Sequence, residues 1–178
     1  MTYKAKNIIY ACISALLALL LYILLHELGH MIVMLYAGAA ITDFSILTAH
    51  VSAVGGDYNN FTDLWLNANG ALFPVTIAAI YAVLYQKNKG RFYKIFSFVF
   101  IMGSTISLLA WTIIPLIYIQ GNAPSNEDVT KFLESFSQQY HPLIVSAVSL
   151  LLIVGIVIIV VKKGIWKNYI STMKDEGV

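Results

Sequence analysis

The sequence predicts an all-α membrane protein of about four transmembrane helices, with a short β-hairpin after the first. Three observations carry that expectation. Of the 178 residues, 59% are hydrophobic and 11% are charged, which is far from ordinary soluble usage. Four uncharged stretches are each long enough to cross roughly 30 Å of hydrocarbon. The basic residues are sorted between the connecting segments instead of being spread over them. At this length a single domain over residues 1–178 is expected.

The first apolar run covers about residues 7–25 and continues to about Tyr36, predicting a helix over 7–36. Lys4 and Lys6 precede it, as they would precede a secretory leader. The run exceeds a leader core, however, lacks a small-x-small exit and continues beyond its ionisable residues, so it reads as a retained helix. Residues Ile41–Leu47 and His50–Val54 are β-compatible and are closed by Gly55-Gly56, which predicts the hairpin. If it dips into the membrane, its backbone polar groups must be paired or line a wet cavity. Further helices are predicted over 64–86, 93–119 and 143–162. Between the last two, Ser125 or Asn126 is placed to cap a short helix through Phe136, with acids in its first turn. Trp65, Tyr81, Tyr85, Tyr93, Trp111, Tyr118 and Trp166 mostly fall near segment ends, as an interfacial aromatic belt requires. Cys12, the one cysteine, excludes an intramolecular disulfide and reads as a packing residue.

The charge pattern orients the chain. Lys4 and Lys6 lie before the first helix, Lys87, Lys89, Arg91 and Lys94 between the second and third, and Lys162, Lys163 and Lys167 after the fourth. The two remaining connections hold one base, Lys131. With four spans every basic cluster falls on one side, which the positive-inside rule makes cytoplasmic. The expectation is an integral protein of a bacterial cell membrane with both termini in the cytoplasm. The far end of the first helix then faces outward.

That end carries His26-Glu27-Leu28-Gly29-His30. Histidines four residues apart share a helix face and can hold one metal together. The glutamate between them can act as general base on a water at the metal. Gly29 removes a side chain, allowing another backbone to approach. A chance match would leave ionisable groups beside lipid without compensation. A catalytic site needs a further protein ligand. Asp43, Asp57, Asp63, Glu127, Asp128 and Glu134 offer carboxylates, and His50 and His141 offer nitrogens. All lie on the side to which the first helix delivers its motif, so topology does not choose among them. Taken individually, His50 reads as a hairpin residue and His141 as a helix cap before Pro142.

The chain resembles the site-2 protease family of intramembrane zinc metalloproteases. The likeness rests on the His26–His30 motif, on Asn67-Ala68-Asn69-Gly70-Ala71-Leu72-Phe73-Pro74, where the family often has a glycine-rich turn before a helix, and on Asn126-Glu127-Asp128 near a late helix start. The resemblance implies Zn2+ held by His26, His30 and Asp128, with Glu127 next in line for the third position. It implies Glu27 as acid/base and Asn69 as hydrogen-bond donor to the oxyanion. The implied activity is hydrolysis of peptide bonds in membrane-embedded or juxtamembrane substrates. The expected partners are the lipid bilayer and a membrane protein or peptide substrate, with no nucleic acid. The alternative is a non-proteolytic membrane metal-binding protein or an inactive protease-like scaffold. Metal transport would call for polar residues along the later helices, and these carry no charge.

Overall fold

The structure, a computed structural model, describes residues 3–174. Its elements are α1 (Tyr3–Tyr36), the strands β1 (Ala40–Ser45) and β2 (His50–Val54), α2 (Asn60–Val83), α3 (Arg91–Ile106), α4 (Leu108–Ile119), α5 (Asp128–Phe136), α6 (Leu143–Lys162) and α7 (Ile165–Lys174). The chain is thus mostly helical, with a two-stranded hairpin after the first helix. Four helical stretches are long and apolar enough to cross a membrane: 4–36, 60–83, 91–119 and 143–162.

Helix α1 packs on α2 and α3, α4 packs on α6, and α5 lies across α2 and α4. The core is small because the helices share only narrow faces. Ile101, Leu108 and Ile165 are fully or almost fully buried between α2, α3, α4, α6 and α7. The outward faces remain apolar: Leu16, Leu19, Leu150 and Leu151 are all exposed. Such a surface is stable under lipid and costly in water.

Several boundaries differ from the sequence expectation, each for a local reason. Helix α2 starts at Asn60 instead of residue 64 because Asn59 and Thr62 form a reciprocal capping box. The Asn59 Oδ1 accepts the Phe61 and Thr62 amides at 3.0 Å each, and the Thr62 hydroxyl oxygen accepts the Asn59 amide at 2.7 Å. The helix stops at Val83, short of residue 86. The third predicted helix is broken at Ser107. There Thr105 donates to the Ile101 carbonyl (2.7 Å) and Ser107 to the Ser104 carbonyl (2.8 Å), and such back-bonding bends helices. Helix α5 ends at Phe136 as expected, but Glu127 is its first flanking residue and makes no side-chain cap, so neither Ser125 nor Asn126 fills that role.

Helix α7 has no counterpart in the sequence expectation. Gly164, at φ 71°, ends α6, and the chain resumes with buried Ile165 while Trp166 and Tyr169 pack their rings on Phe98 at 5.2 and 4.2 Å. Asn7 of α1 donates from Nδ2 to the Thr172 carbonyl of α7 at 2.7 Å. The beginning of α1 and the end of α7 therefore lie together at one end of the bundle. The termini themselves, residues 1–2 and 175–178, fall outside the described residues.

The hairpin forms as predicted, with β1 ending two residues earlier than the pattern suggests. Its strands are antiparallel, pairing Ala40 with Val54 and Ser45 with His50, and its register shifts between Ile41 and Asp43. It packs against α1 at the outer end of the motif-bearing face.

Candidate metal centre

The helical repeat of α1 brings the His26 and His30 rings within 4.8 Å, centroid to centroid. Their Nε2 atoms are 3.1 Å apart. Asp128, the first residue of α5, places its Oδ2 3.2 Å from each of them. Three ligand atoms therefore form a nearly equilateral triangle. An ion with bonds of about 2.0–2.1 Å in tetrahedral geometry has ligand-to-ligand edges of roughly 3.3 Å. The triangle matches one face of that tetrahedron, leaving a fourth position open. The chemistry of the set, two imidazoles and a carboxylate, fits as well.

The surroundings hold two of the three ligands in place, while the buried Nδ1 of His26 has no hydrogen-bond partner. The Nδ1–H of His30 donates to the Leu66 carbonyl at 2.8 Å, which leaves Nε2 as the coordinating nitrogen. Asp128 is delivered by packing: Val129 and Leu133, one turn apart, are buried against Ala68, Ala71 and Trp111. Burial by itself raises a carboxyl pKa. The hydrogen bonds and charges of His26 and His30 outweigh that and hold Asp128 below the usual carboxylate range.

Helix α2 comes close enough to support these rings because glycine sits at both crossing points. A Cβ on Gly29 would strike the backbone carbonyl oxygen of Asn69, and a Cβ on Gly70 would strike the His30 ring. Where the resemblance implies a glycine-rich turn at 67–74, the chain is continuous helix, already started by the Asn59 cap. Pro74, fully buried, lacks the amide that would otherwise bond the Gly70 carbonyl one turn earlier.

A cavity of about 290 Å³ opens beside the triangle. His26, Glu27, His30 and Asp128 line it, together with Asn67, Lys131 and the hairpin residues Ala49, His50 and Val51. Glu27 is 5% exposed. The third-ligand question thus receives one geometric answer: among the described residues the cluster able to hold a metal is His26, His30 and Asp128. Glu127, Asp57, Asp63, Glu134 and His141 are not brought to it, and Asp43 instead lies 3.9 Å from His50. The Nδ1 of His141 accepts the Leu143 amide, as a cap before α6.

Asn69 requires a correction. Its Nδ2 donates to the Gly29 carbonyl at 2.7 Å, and the side chain is buried. It is absent from the cavity wall. One N–H of the amide expected to meet an oxyanion joins α2 to α1, at the same close contact that Gly29 permits. Two polar groups that sequence reasoning passed over, Asn67 and Lys131, occupy the wall instead. The available signal for Lys131 was its position three residues after Asp128, on the same helix face.

No protein-family model, no curated protein and no solved structure matches this chain.

Asp128→Ala is expected to lower zinc affinity by at least about a hundredfold, the upper end of what losing a supporting residue costs. Competition with a chromophoric chelator measures this. An unchanged affinity would remove Asp128 from the ligand set.

Proposed function

We propose that the chain is an intramembrane zinc metalloendopeptidase of the site-2 protease kind. The observation that carries this reading is the triangle of His26 Nε2, His30 Nε2 and Asp128 Oδ2, with Glu27 in the wall of the adjoining cavity. Zinc, when bound, lowers the pKa of water and polarises a carbonyl. Glu27 takes a proton from the attacking water as its oxygen bonds to the scissile carbon. It then returns that proton to the nitrogen as the C–N bond breaks, giving a carboxylic acid and an amine. The apolar span and its outward-facing leucines suit substrates that are themselves embedded in or close to the bilayer.

Helix geometry supports a location near the outer boundary of the membrane. At 1.5 Å per residue, residues 7–25 account for roughly 28 Å, about one hydrocarbon thickness. With the basic clusters in the cytoplasm, the motif, the hairpin and α5 stand at the opposite face, where water is available for hydrolysis. Both ends of the chain are then cytoplasmic, in a bacterial cell membrane. A metal-binding protein without hydrolytic activity would employ His26, His30 and Asp128 equally well. It would have no use for Glu27, a buried acid beside the same cavity.

Purified in detergent, the protein should carry about one zinc per chain and cleave members of an apolar peptide library. A chelator should abolish cleavage, and added zinc should restore it. Cleavage that persists in a zinc-free protein would overturn the proposal.

A further inference from the structure

We propose that Lys131 supplies the positive charge that meets the oxyanion during peptide hydrolysis, the role the resemblance would give to Asn69. The inference rests on the protease reading and extends it to a residue that no motif marks. Three observations converge on it.

The first is placement. Lys131 lies in the wall of the cavity that holds Glu27 and the three candidate ligands. It follows Asp128 by three residues on α5, so their Cβ atoms are helix neighbours about 5–6 Å apart. A lysine stem reaches that far with its ammonium free to turn.

The second is the absence of a competing partner. Among the described residues, no carboxylate lies within 4.0 Å of the Lys131 ammonium, although Glu127 and Glu134 are close in sequence. An ordinary surface lysine on a helix bearing acids at such spacings pairs with one of them or points to open solvent. This one is exposed at the border of the cavity.

The third is charge. The other basic residues lie at the start of α1, around the α2–α3 connection and from the end of α6 through α7, at the opposite end of the spans. Lys131 is the exception, and it stands at the metal site. With a dipositive ion in place, Asp128 and the ionised Glu27 balance its charge. As water adds and Glu27 accepts the proton, that negative charge passes from Glu27 to the carbonyl oxygen, where the ammonium joins the ion in meeting it. A charge already at the cavity needs only a side-chain rotation to meet the anion. Asn69 bonds to Gly29 and does not line the cavity, whereas Lys131 does and is charged.

The test uses the full chain in detergent micelles, loaded with cobalt so that ligand binding is read from visible absorption. The probes are a phosphinic dipeptide, whose anionic oxygen mimics the tetrahedral adduct, and imidazole, a neutral metal ligand. Lys131→Ala and Lys131→Met should each bind the phosphinic dipeptide about a hundredfold more weakly than wild type. Imidazole affinity and cobalt content should stay unchanged, and Lys131→Arg should recover most of the loss. Equal phosphinate affinity in Lys131→Ala and wild type would overturn the proposal. So would a parallel loss of imidazole affinity, because it would make the lysine a support for the metal and not a partner for the anion. A wild-type protein that takes up no cobalt would sink the metalloprotease reading and this inference together. Anion binding that depends on Lys131, in a protein that cleaves no peptide, would overturn the protease reading and leave Lys131 as an anion-binding residue only.

Discussion

Glu27→Gln is expected to reduce peptide hydrolysis by about 10³- to 10⁴-fold, the upper range for loss of a general acid/base, while zinc content stays near one per chain. The substitution preserves side-chain shape and removes the ability to accept and return a proton. His26, His30 and Asp128 are left as they are, so the ligand triangle has no reason to change. Glu27 is buried beside the cavity, and glutamine fits the same space without leaving a void. Mass spectrometry of cleaved apolar peptides gives the rate and elemental analysis gives the metal. Residual activity within tenfold of wild type would mean that another group handles the proton. A joint loss of zinc and activity would mean that Glu27 belongs to the metal set.

The second large effect comes from a residue with no side chain. A Cβ at position 70 would stand 2.7 Å from Cε1 of His30 and 2.8 Å from Cε1 of His26, besides striking His30 Nε2. His30 cannot swing aside cheaply, because its Nδ1–H is bonded to the Leu66 carbonyl of the same helix α2. Relief requires either that α2 retreat from α1 or that both rings rotate, and each route breaks the triangle. Gly70→Ala should therefore lower zinc affinity by more than about a hundredfold and take peptide cleavage below detection. Gly103→Ala in α3, where a Cβ meets nothing within 4 Å, is the control and should leave both unchanged. Zinc affinity within threefold of wild type in Gly70→Ala would show that the α1–α2 contact yields more readily than its geometry implies.

These two residues illustrate what sequence can and cannot convey about such a site. Glu27 was legible because its partners His26 and His30 lie within one helical turn, and turn spacing is a property of the chain itself. The four spans and the hairpin were legible for a similar reason, since hydropathy and β-branching act locally. Asp128 was one acid among several, named through the resemblance. Its selection depends on Val129 and Leu133 docking on α2, a contact between distant segments. Asn69 takes its expected role from the resemblance, but a side-chain amide does what its nearest partner requires, and that partner is the Gly29 carbonyl. Lys131 was seen as an isolated charge; its bearing on the site appears only once α5 has been laid beside α1. Among the boundaries, the Asn59–Thr62 capping box was readable in principle and was passed over in favour of the apolar run that follows it. The break at Ser107 arises from hydroxyls that bond back to carbonyls, a choice made by packing.

The division of ligands between a long span and a short peripheral helix has a consequence for biosynthesis. His26 and His30 are made early and enter the membrane with α1. Asp128 cannot join them until α2, α3 and α4 have been inserted and α5 has folded back across them. A nascent chain thus carries an incomplete ligand set through most of its synthesis, and the set is complete only once α5 has docked. Once formed, coordination ties together positions about a hundred residues apart, much as a crosslink would, so the ion that completes the centre also locks the order of the helices around it.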